Sequence, residues 1–365
     1  MRKDKSTDLL FDLIQVALNN KLCLSAIPSV KEWNAVYKKA MRQSIVGICF
    51  SGVERLMTAN REQLIYLPRE LKLEWIGVVE HIKQQNRYLD EQTATIWKKL
   101  EEDGLKAAIL KGQGVATLYG KLAAYRQSGD IDIWVKGGYQ KVCDYVQRTY
   151  PTDDVAYHRF HYDFFKDIEV ELHHRPTLMR NLLDDRKLAK WYNSFEPDSF
   201  TYLDNKGFAV PPVEFNRVFI LTHIYRHFLF EGIGLRQVMD YYFVLANEEL
   251  KDNSEKLKVW EMFRTLRMMR FAEAMMWILH AVFGLEDKYL ICGMNEKEGR
   301  FVLSEISETG NFGQTDKRFK GMSKFRRMTK HGIHLLLHYP SEVIWTPIWL
   351  LYHKVWKWDK KRMIH

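Results

Sequence analysis

Ser128-Gly129-Asp130-Ile131-Asp132-Ile133-Trp134-Val135 is the stretch that decides how this chain is read. The four residues from Asp130 alternate polar and apolar, which is the period of a half-buried strand. Residues two apart on a strand share a face, so Asp130 and Asp132 project together while Ile131 and Ile133 turn to a core. Two carboxylates held side by side repel each other unless a positive charge lies between them, and a divalent cation is the natural partner. Mg²⁺ in particular is held by one or two protein carboxylates together with substrate phosphates. A solvated acidic strand would carry the same letters, so the flanking segments must decide.

Downstream, Asp167-Ile168-Glu169-Val170-Glu171-Leu172-His173 alternates again, with Asp167, Glu169, Glu171 and His173 on one face. Beside the first strand, one of its carboxylates completes a three-carboxylate cage, and alternation alone allows Glu169 or Glu171. Such a cage can hold two metal ions, one at a hydroxyl nucleophile and one at a triphosphate. The catalytic work is then positioning and charge neutralisation. Upstream, the short apolar run Lys106–Leu110 ends in Lys111-Gly112-Gln113-Gly114, and a helix is predicted over Val115–Leu122. Glycines there let backbone N–H groups approach phosphate, and Lys111 adds a contact. The turn is neither GxGxxG nor GxxxxGK[ST], so it supports neither a dinucleotide site nor a Walker loop.

Working outward, Gly137-Gly138 ends the first strand, a helix follows over Tyr139–Tyr150, and strands follow over Val155–Phe165 and Asp167–His173. A last strand, Phe208–Val210, precedes the linker signal Pro211-Pro212. Residues 1–103 read as helical, with Val30–Leu56 as one helix or two (a break falling near Gly47) and a long helix over Arg69–Asp103 stopped by Gly104. Beyond the prolines the helical period returns over Val213–Phe230, Gly234–Glu249, Lys256–Phe283 and Lys297–Glu308. Gly310–Gly321 is polar and turn-rich. The expected fold class is α+β: a small mixed-sheet core at 104–212, between a helical N-terminal region (1–103) and a helical C-terminal region (213–365).

Together these residues resemble the polymerase-β-type nucleotidyltransferase superfamily. They are most similar to a group within it that has a Leu-Lys-Gly turn, an Arg-x-x-Asp-Ile-Asp-like strand and a Glu-Leu-His strand. Here those are Leu110-Lys111-Gly112, Arg126-Gln127-Ser128-Gly129-Asp130-Ile131-Asp132 and Glu171-Leu172-His173. The resemblance covers roughly residues 104 to 250. It implies a nucleotidyltransferase core in which Asp130, Asp132 and Glu171 are the catalytic metal carboxylates for Mg²⁺ or Mn²⁺. Lys111, Gly112, Gly114, Arg126, Ser128 and Gly129 are then expected beside an NTP. The chain departs from the superfamily pattern in two places. The turn is Gly112-Gln113-Gly114 where Gly-Ser or Gly-Gly is usual, and its distance to Asp130 is longer than the common spacing.

In the C-terminal region His223 and His227 lie four apart, with Arg226 and Phe230 on much the same helical face. HExxH is absent and no zinc is expected. His173, His223, His227, Arg236 and Asp240 are candidates for an acceptor cleft, with Arg236 contacting phosphate and Asp240 orienting it at the i,i+4 spacing.

The tail from Lys324 is basic and carries Trp345, Trp349, Trp356 and Trp358. As a helix it gathers Ile344, Trp349, Leu350, Leu351 and Val355, a set suited to packing on the protein, to a membrane surface or to nucleic acid. The longest apolar stretch, Val343–Trp356, is too short to span a bilayer.

The 365 residues allow two or three domains at about 150 residues each. With 46% hydrophobic and 28% charged residues, the composition excludes a disordered or collagen-like chain. The net charge of +9 favours anionic partners. Cys23, Cys49, Cys143 and Cys292 form no CxxC and read as reduced thiols of a cytoplasmic protein, or one peripheral to the membrane. The expected activity is transfer of a nucleoside monophosphate from an NTP to an unidentified hydroxyl or phosphate acceptor. The competing readings are a non-catalytic nucleotide-binding or regulatory protein on the same fold, and a nucleotidyltransferase that modifies nucleic acid.

Overall fold

The computed structural model describes residues 4–59, 67–246, 253–313, 318, 321–322 and 324–364. The first three residues, the end of the expected Gly234–Glu249 helix beyond 246, much of the polar stretch at 310–321 and His365 lie outside the described residues.

Three helices open the chain, α1 (Lys5–Ala17), α2 (Val30–Arg42) and α3 (Val46–Thr58). A capping box between Ser29 and Glu32 starts α2. The break between α2 and α3 falls at Ser44 (φ 53°), not at Gly47, which lies inside α3. Helix α4 (Arg69–Glu102) buries Leu71, Trp75, Val79, Ile82, Asn86, Leu89, Thr93, Ile96 and Leu100, a stripe at three- and four-residue steps. Its first half packs with the helical bundle and its second half under the sheet, so α4 joins the two cores.

The sheet contains β1 (Ala107–Ile109), β2 (Ile131–Val135), β3 (Arg159–His161) and β4 (Val170–His173) in the order β1-β2-β4-β3. β2 and β4 are parallel and the outer pairs antiparallel. Between β1 and β2 the chain forms the four-residue α5 (Gln113–Ala116) and a 3₁₀ segment, Thr117–Tyr125, kinked at Gly120, in place of the single helix expected over Val115–Leu122. Helix α6 (Gly138–Thr149) follows β2. The expected strand at Val155–Phe165 is reduced to β3 and a bridge from Val155 to Phe160. The strand expected from Asp167 begins only at Val170.

Helix α7 (Leu182–Asn193) and a hairpin of β5 (Thr201–Leu203) and β6 (Phe208–Val210) lead to α8 (Val213–Phe230). Then come α9 (Leu235–Ala246), α10 (Asn253–Thr265), α11 (Met269–Phe283), α12 (Glu296–Thr309), α13 (Lys324–Leu335) and α14 (Pro340–Ile364). The single helix expected over Lys256–Phe283 is two, broken where Arg267 takes φ 56°.

One face of the sheet is apolar. Ile131, Ile133, Val135, Val170 and Leu172 pack with Leu89, Ile96 and Leu100 of α4 and with Val142 and Val146 of α6. The other face carries Asp132, Glu171 and His173 and lies under α7 and α8, where Trp134 stacks on Phe215 at 5.1 Å. α8 is buried almost all round, as a central helix must be. The helices before the sheet and those after it share one hydrophobic cluster, which runs from Leu9 to Phe283 and beyond.

In α14 the apolar residues divide between two faces. Trp349 is buried against Tyr157, while Ile344, Leu351 and Val355 are exposed. At 100° per residue, position 349 lies far around the helix from 344, 351 and 355, which explains why the expected single cluster does not form. Among the described residues no helix is long and apolar enough to cross a membrane, and the four cysteines are free thiols.

Candidate active site

The register of the parallel pair settles what alternation left open. Asp132 lies opposite Glu171 and Trp134 opposite His173, so β2 and β4 present one carboxylate each to the same spot. Glu169 precedes β4; its carbonyl accepts from Ile131 N at 2.9 Å, and its half-exposed carboxylate turns to His161, 3.6 Å away. Asp130 stands just ahead of β2 with its side chain 37% exposed.

His173 Nε2 lies 2.8 Å from Asp132 Oδ1 and 3.2 Å from Glu171 Oε2. Lys111, at the end of the turn after β1, places its ammonium 3.0 Å from Asp132 Oδ2 and 3.4 Å from Asp130 Oδ2. Arg159 of β3 closes the far side at 2.6 Å from Glu171 Oε1. Asp132, Glu171 and His173 are all buried. Asp132 Oδ2 is paired with the Lys111 ammonium, whereas His173 Nδ1 has no hydrogen-bond partner.

The charges follow from this packing. Burial opposes the charge on Asp132, but Lys111 and His173 outweigh it and hold the carboxyl well below the usual range. Burial and the neighbouring Asp132 charge raise Glu171. Burial opposes the charge on His173 and on Lys111, yet the surrounding carboxylates raise both.

The turn is shaped by two glycines. Gly112 takes φ +59°, and a Cβ on Gly114 would sit 2.4 Å from the carbonyl oxygen of Ile109. Gln113 is tied to Asp90. The helix that the turn opens is only four residues long, so its dipole contributes little.

Arg126 and Asp240 form a separate cluster. The Arg126 guanidinium donates to both carboxylate oxygens of Asp240 at 2.8 Å and to Ser128 Oγ at 2.6 Å; Tyr119 donates to Asp240 at 2.6 Å. Asp240 therefore orients Arg126 and not Arg236, as its helical spacing had suggested. Arg236 donates instead to the Gln127 carbonyl at 3.2 Å. Arg126 is 2% exposed and braces the Ser128-Gly129 approach to β2 from beneath.

Helix α8 forms the wall over the acidic face. His223 and His227 are buried with ring centres 4.3 Å apart, and His227 Nδ1 meets Glu231 at 2.6 Å. Arg226 reaches His158 Nε2 at 2.8 Å, and the His158 ring is 5.3 Å from that of His173. Burial lowers His223, and the charges of Lys111 and His173 are among those that reach it. Arg159, His158 and Glu231 were not singled out from sequence. The parity of Arg159 and His161 along β3, and the i,i+4 spacing of His227 and Glu231, were the available signals.

One carboxylate oxygen each from Asp132 and Glu171, with a ring nitrogen of His173, lie within 4.8 Å of one another. Two buried carboxylates and an imidazole converging on one spot are a donor set that fits a divalent cation, with Lys111 supplying the counter-charge.

A family described as "Uncharacterised nucleotidyltransferase" matches residues 29–284, most of the chain. The chain belongs to that nucleotidyltransferase family. No curated protein matches it. Among solved structures it is similar to an antigenic nucleotidyltransferase-like protein from Paracoccidioides brasiliensis, at 11% identity and TM-score 0.29, over 54% of this chain and 93% of that one. The family match includes β1, β2, β4 and α8, and so every side chain placed around the acidic face above. Two open cavities, of about 270 and 530 Å³, lie instead at the other end of β2 and β4, around Gly138 and His174.

Proposed function

We propose that this nucleotidyltransferase depends on a divalent metal and moves a nucleoside monophosphate from an NTP to a hydroxyl or phosphate acceptor, releasing pyrophosphate. The observation that carries the reading is the convergence of Asp132 and Glu171 from two paired parallel strands onto one buried face. Asp132, Glu171 and, at the rim, Asp130 would hold Mg²⁺ or Mn²⁺. When bound, the ion neutralises triphosphate charge and eases deprotonation of the acceptor.

The chain's own residues do the rest. Lys111 is positioned to exchange a carboxylate partner for a phosphate oxygen as the triphosphate enters. The Gly112–Gly114 turn lets backbone approach the same phosphates. Arg159 and His173 fix Glu171 in one orientation. The α8 wall of His223, Arg226 and His227 keeps water from the acidic face and borders the space for an acceptor. The acceptor oxygen forms the new bond to the α-phosphorus, the α–β bridging bond breaks, and its electron pair leaves with pyrophosphate.

The test is incubation with α-labelled NTPs, Mg²⁺ and a metabolite mixture. Wild type transfers label, and the Asp130→Ala/Asp132→Ala variant does not. If the two behave alike, including in Mg²⁺–NTP binding, the reading fails. One observation favours a second reading, nucleotide binding without turnover: Glu171 is buried and already tied to Arg159 at 2.6 Å. That reading predicts Mg²⁺-dependent NTP binding with no label transferred to any acceptor.

A further inference from the structure

We infer that His173 is itself a metal ligand and that the site takes a first-row transition ion, Mn²⁺, in preference to Mg²⁺. The inference rests on the metal-dependent reading above and names the ion that serves it.

Four observations lead there. First, His173 Nε2 is 2.8 Å from Asp132 Oδ1 and 3.2 Å from Glu171 Oε2. Adjacent ligands of an octahedral ion bound at about 2.1 Å stand about 3 Å apart, close to the spacing of His173 from each carboxylate, and the three donor atoms lie within 4.8 Å of one another. Second, the placement follows from the sheet: Glu171 and His173 share a face of β4, and the register sets them against Asp132 and Trp134 of β2. Third, Asp130 lies outside the buried group and half in solvent, beside Lys111. The buried donor set is therefore two carboxylates and an imidazole, not three carboxylates. Fourth, Asp132, Glu171 and His173 are all buried, so the three donor groups meet one another inside the protein and not in solvent.

Ligand chemistry then selects the ion. Mg²⁺ prefers oxygen donors, keeps its water and binds imidazole poorly. Mn²⁺ shares the carboxylate and phosphate preference, keeps six-coordination and gains more from a nitrogen ligand. A purely carboxylate cage would separate the two ions less.

The experiment uses the full-length protein with Mn²⁺ and with Mg²⁺ alone. Isothermal titration gives both affinities, and pulsed electron paramagnetic resonance of the Mn²⁺ complex reports directly on coordinated nitrogen. Wild type is expected to bind Mn²⁺ about tenfold more tightly than Mg²⁺ or better, and to show ¹⁴N coupling from one imidazole. His173→Ala, checked for folding by circular dichroism, is expected to lose the coupling and most of the preference while its Mg²⁺ affinity changes by less than about threefold. The spectrum of the wild type needs no variant, and absence of ¹⁴N coupling overturns the inference whatever His173→Ala does. Asp132→Asn separates the two levels. If it abolishes binding of both ions while wild type shows no nitrogen coupling, only the His173 inference fails. If it binds both ions as wild type does, the metal-dependent reading itself fails.

Discussion

Two buried charge clusters flank the start of β2, and they are built on opposite plans. In the first, Arg126 and Asp240 meet through two hydrogen bonds of 2.8 Å, with Tyr119 and Ser128 taking further valences. Both residues are buried, and donors and acceptors match. In the second, Asp132 and Glu171 face each other with Asp130 at the rim, and Lys111, His173 and Arg159 surround them. Here one buried lysine, Lys111, is shared among Asp130, Asp132 and Glu171, and His173 Nδ1 has no hydrogen-bond partner. A closed pair has nothing left to offer a ligand, so it holds the fold. In the proposed reading, the group in which three carboxylates share one lysine is the one that a cation enters.

The largest expected effect separates the two clusters directly. Asp132→Asn should reduce label transfer by about 10³-fold or more while lowering the melting temperature only modestly, because Lys111 loses one carboxylate partner but keeps Asp130 and Glu171. Turnover and thermal melts on the same preparation check it. The converse, Asp240→Asn, should cost about 3 kcal/mol in denaturant unfolding because it leaves the Arg126 charge buried without its partner. Metal affinity of the folded protein should not change. If Asp240→Asn leaves stability intact, or if Asp132→Asn costs as much stability, the contrast is wrong.

Gly114→Ala probes the turn between the clusters. Its Cβ would meet the Ile109 carbonyl at 2.4 Å, so about 2 kcal/mol of destabilisation is expected, together with weaker nucleotide binding as Lys111 shifts. Denaturant melts and nucleotide titration measure both.

An effect read in pH alone comes from another buried carboxylate, Glu342 at the start of α14, which accepts from the Arg180 and Asn181 amides at 2.7 and 3.1 Å. Burial outweighs those bonds and pushes it up to about 7 from 4.5. A raised acid binds its proton more tightly when folded, so its contribution to stability is complete below 4.5 and lost as pH rises through about 7. Unfolding free energy should fall over that window, and Glu342→Gln should flatten the slope.

Much of this was legible in the sequence, for physical reasons that can be named. The alternation in Asp130–Val135 placed Asp132 on a polar face because the strand period is two and the opposite face must be buried. It could not show that the strand begins at Ile131, leaving Asp130 in the approach. The choice between Glu169 and Glu171 needed register, which is a property of two strands and not of one. Lys111 was singled out because it adjoins a glycine turn, and the structure sets it beside Asp132. The Arg126–Asp240 pair was not, because its members are 114 positions apart and only the packing of α9 against the 3₁₀ segment unites them. The helix break at Arg267 had no glycine or proline to announce it. The kink at Gly120 did have a glycine, but one glycine within a helical pattern is weak evidence.

The central claim is that the acidic face is a metal-dependent nucleotide site and the Arg126–Asp240 pair is scaffold. The most direct test is equilibrium binding of a non-hydrolysable NTP to wild type, Asp132→Asn and Asp240→Asn, each with Mn²⁺ and with chelator. The account predicts that wild type and folded Asp240→Asn bind the nucleotide only when Mn²⁺ is present, and that Asp132→Asn does not bind it in either condition. Nucleotide binding that survives chelation in wild type, or that survives Asp132→Asn unchanged, would contradict it.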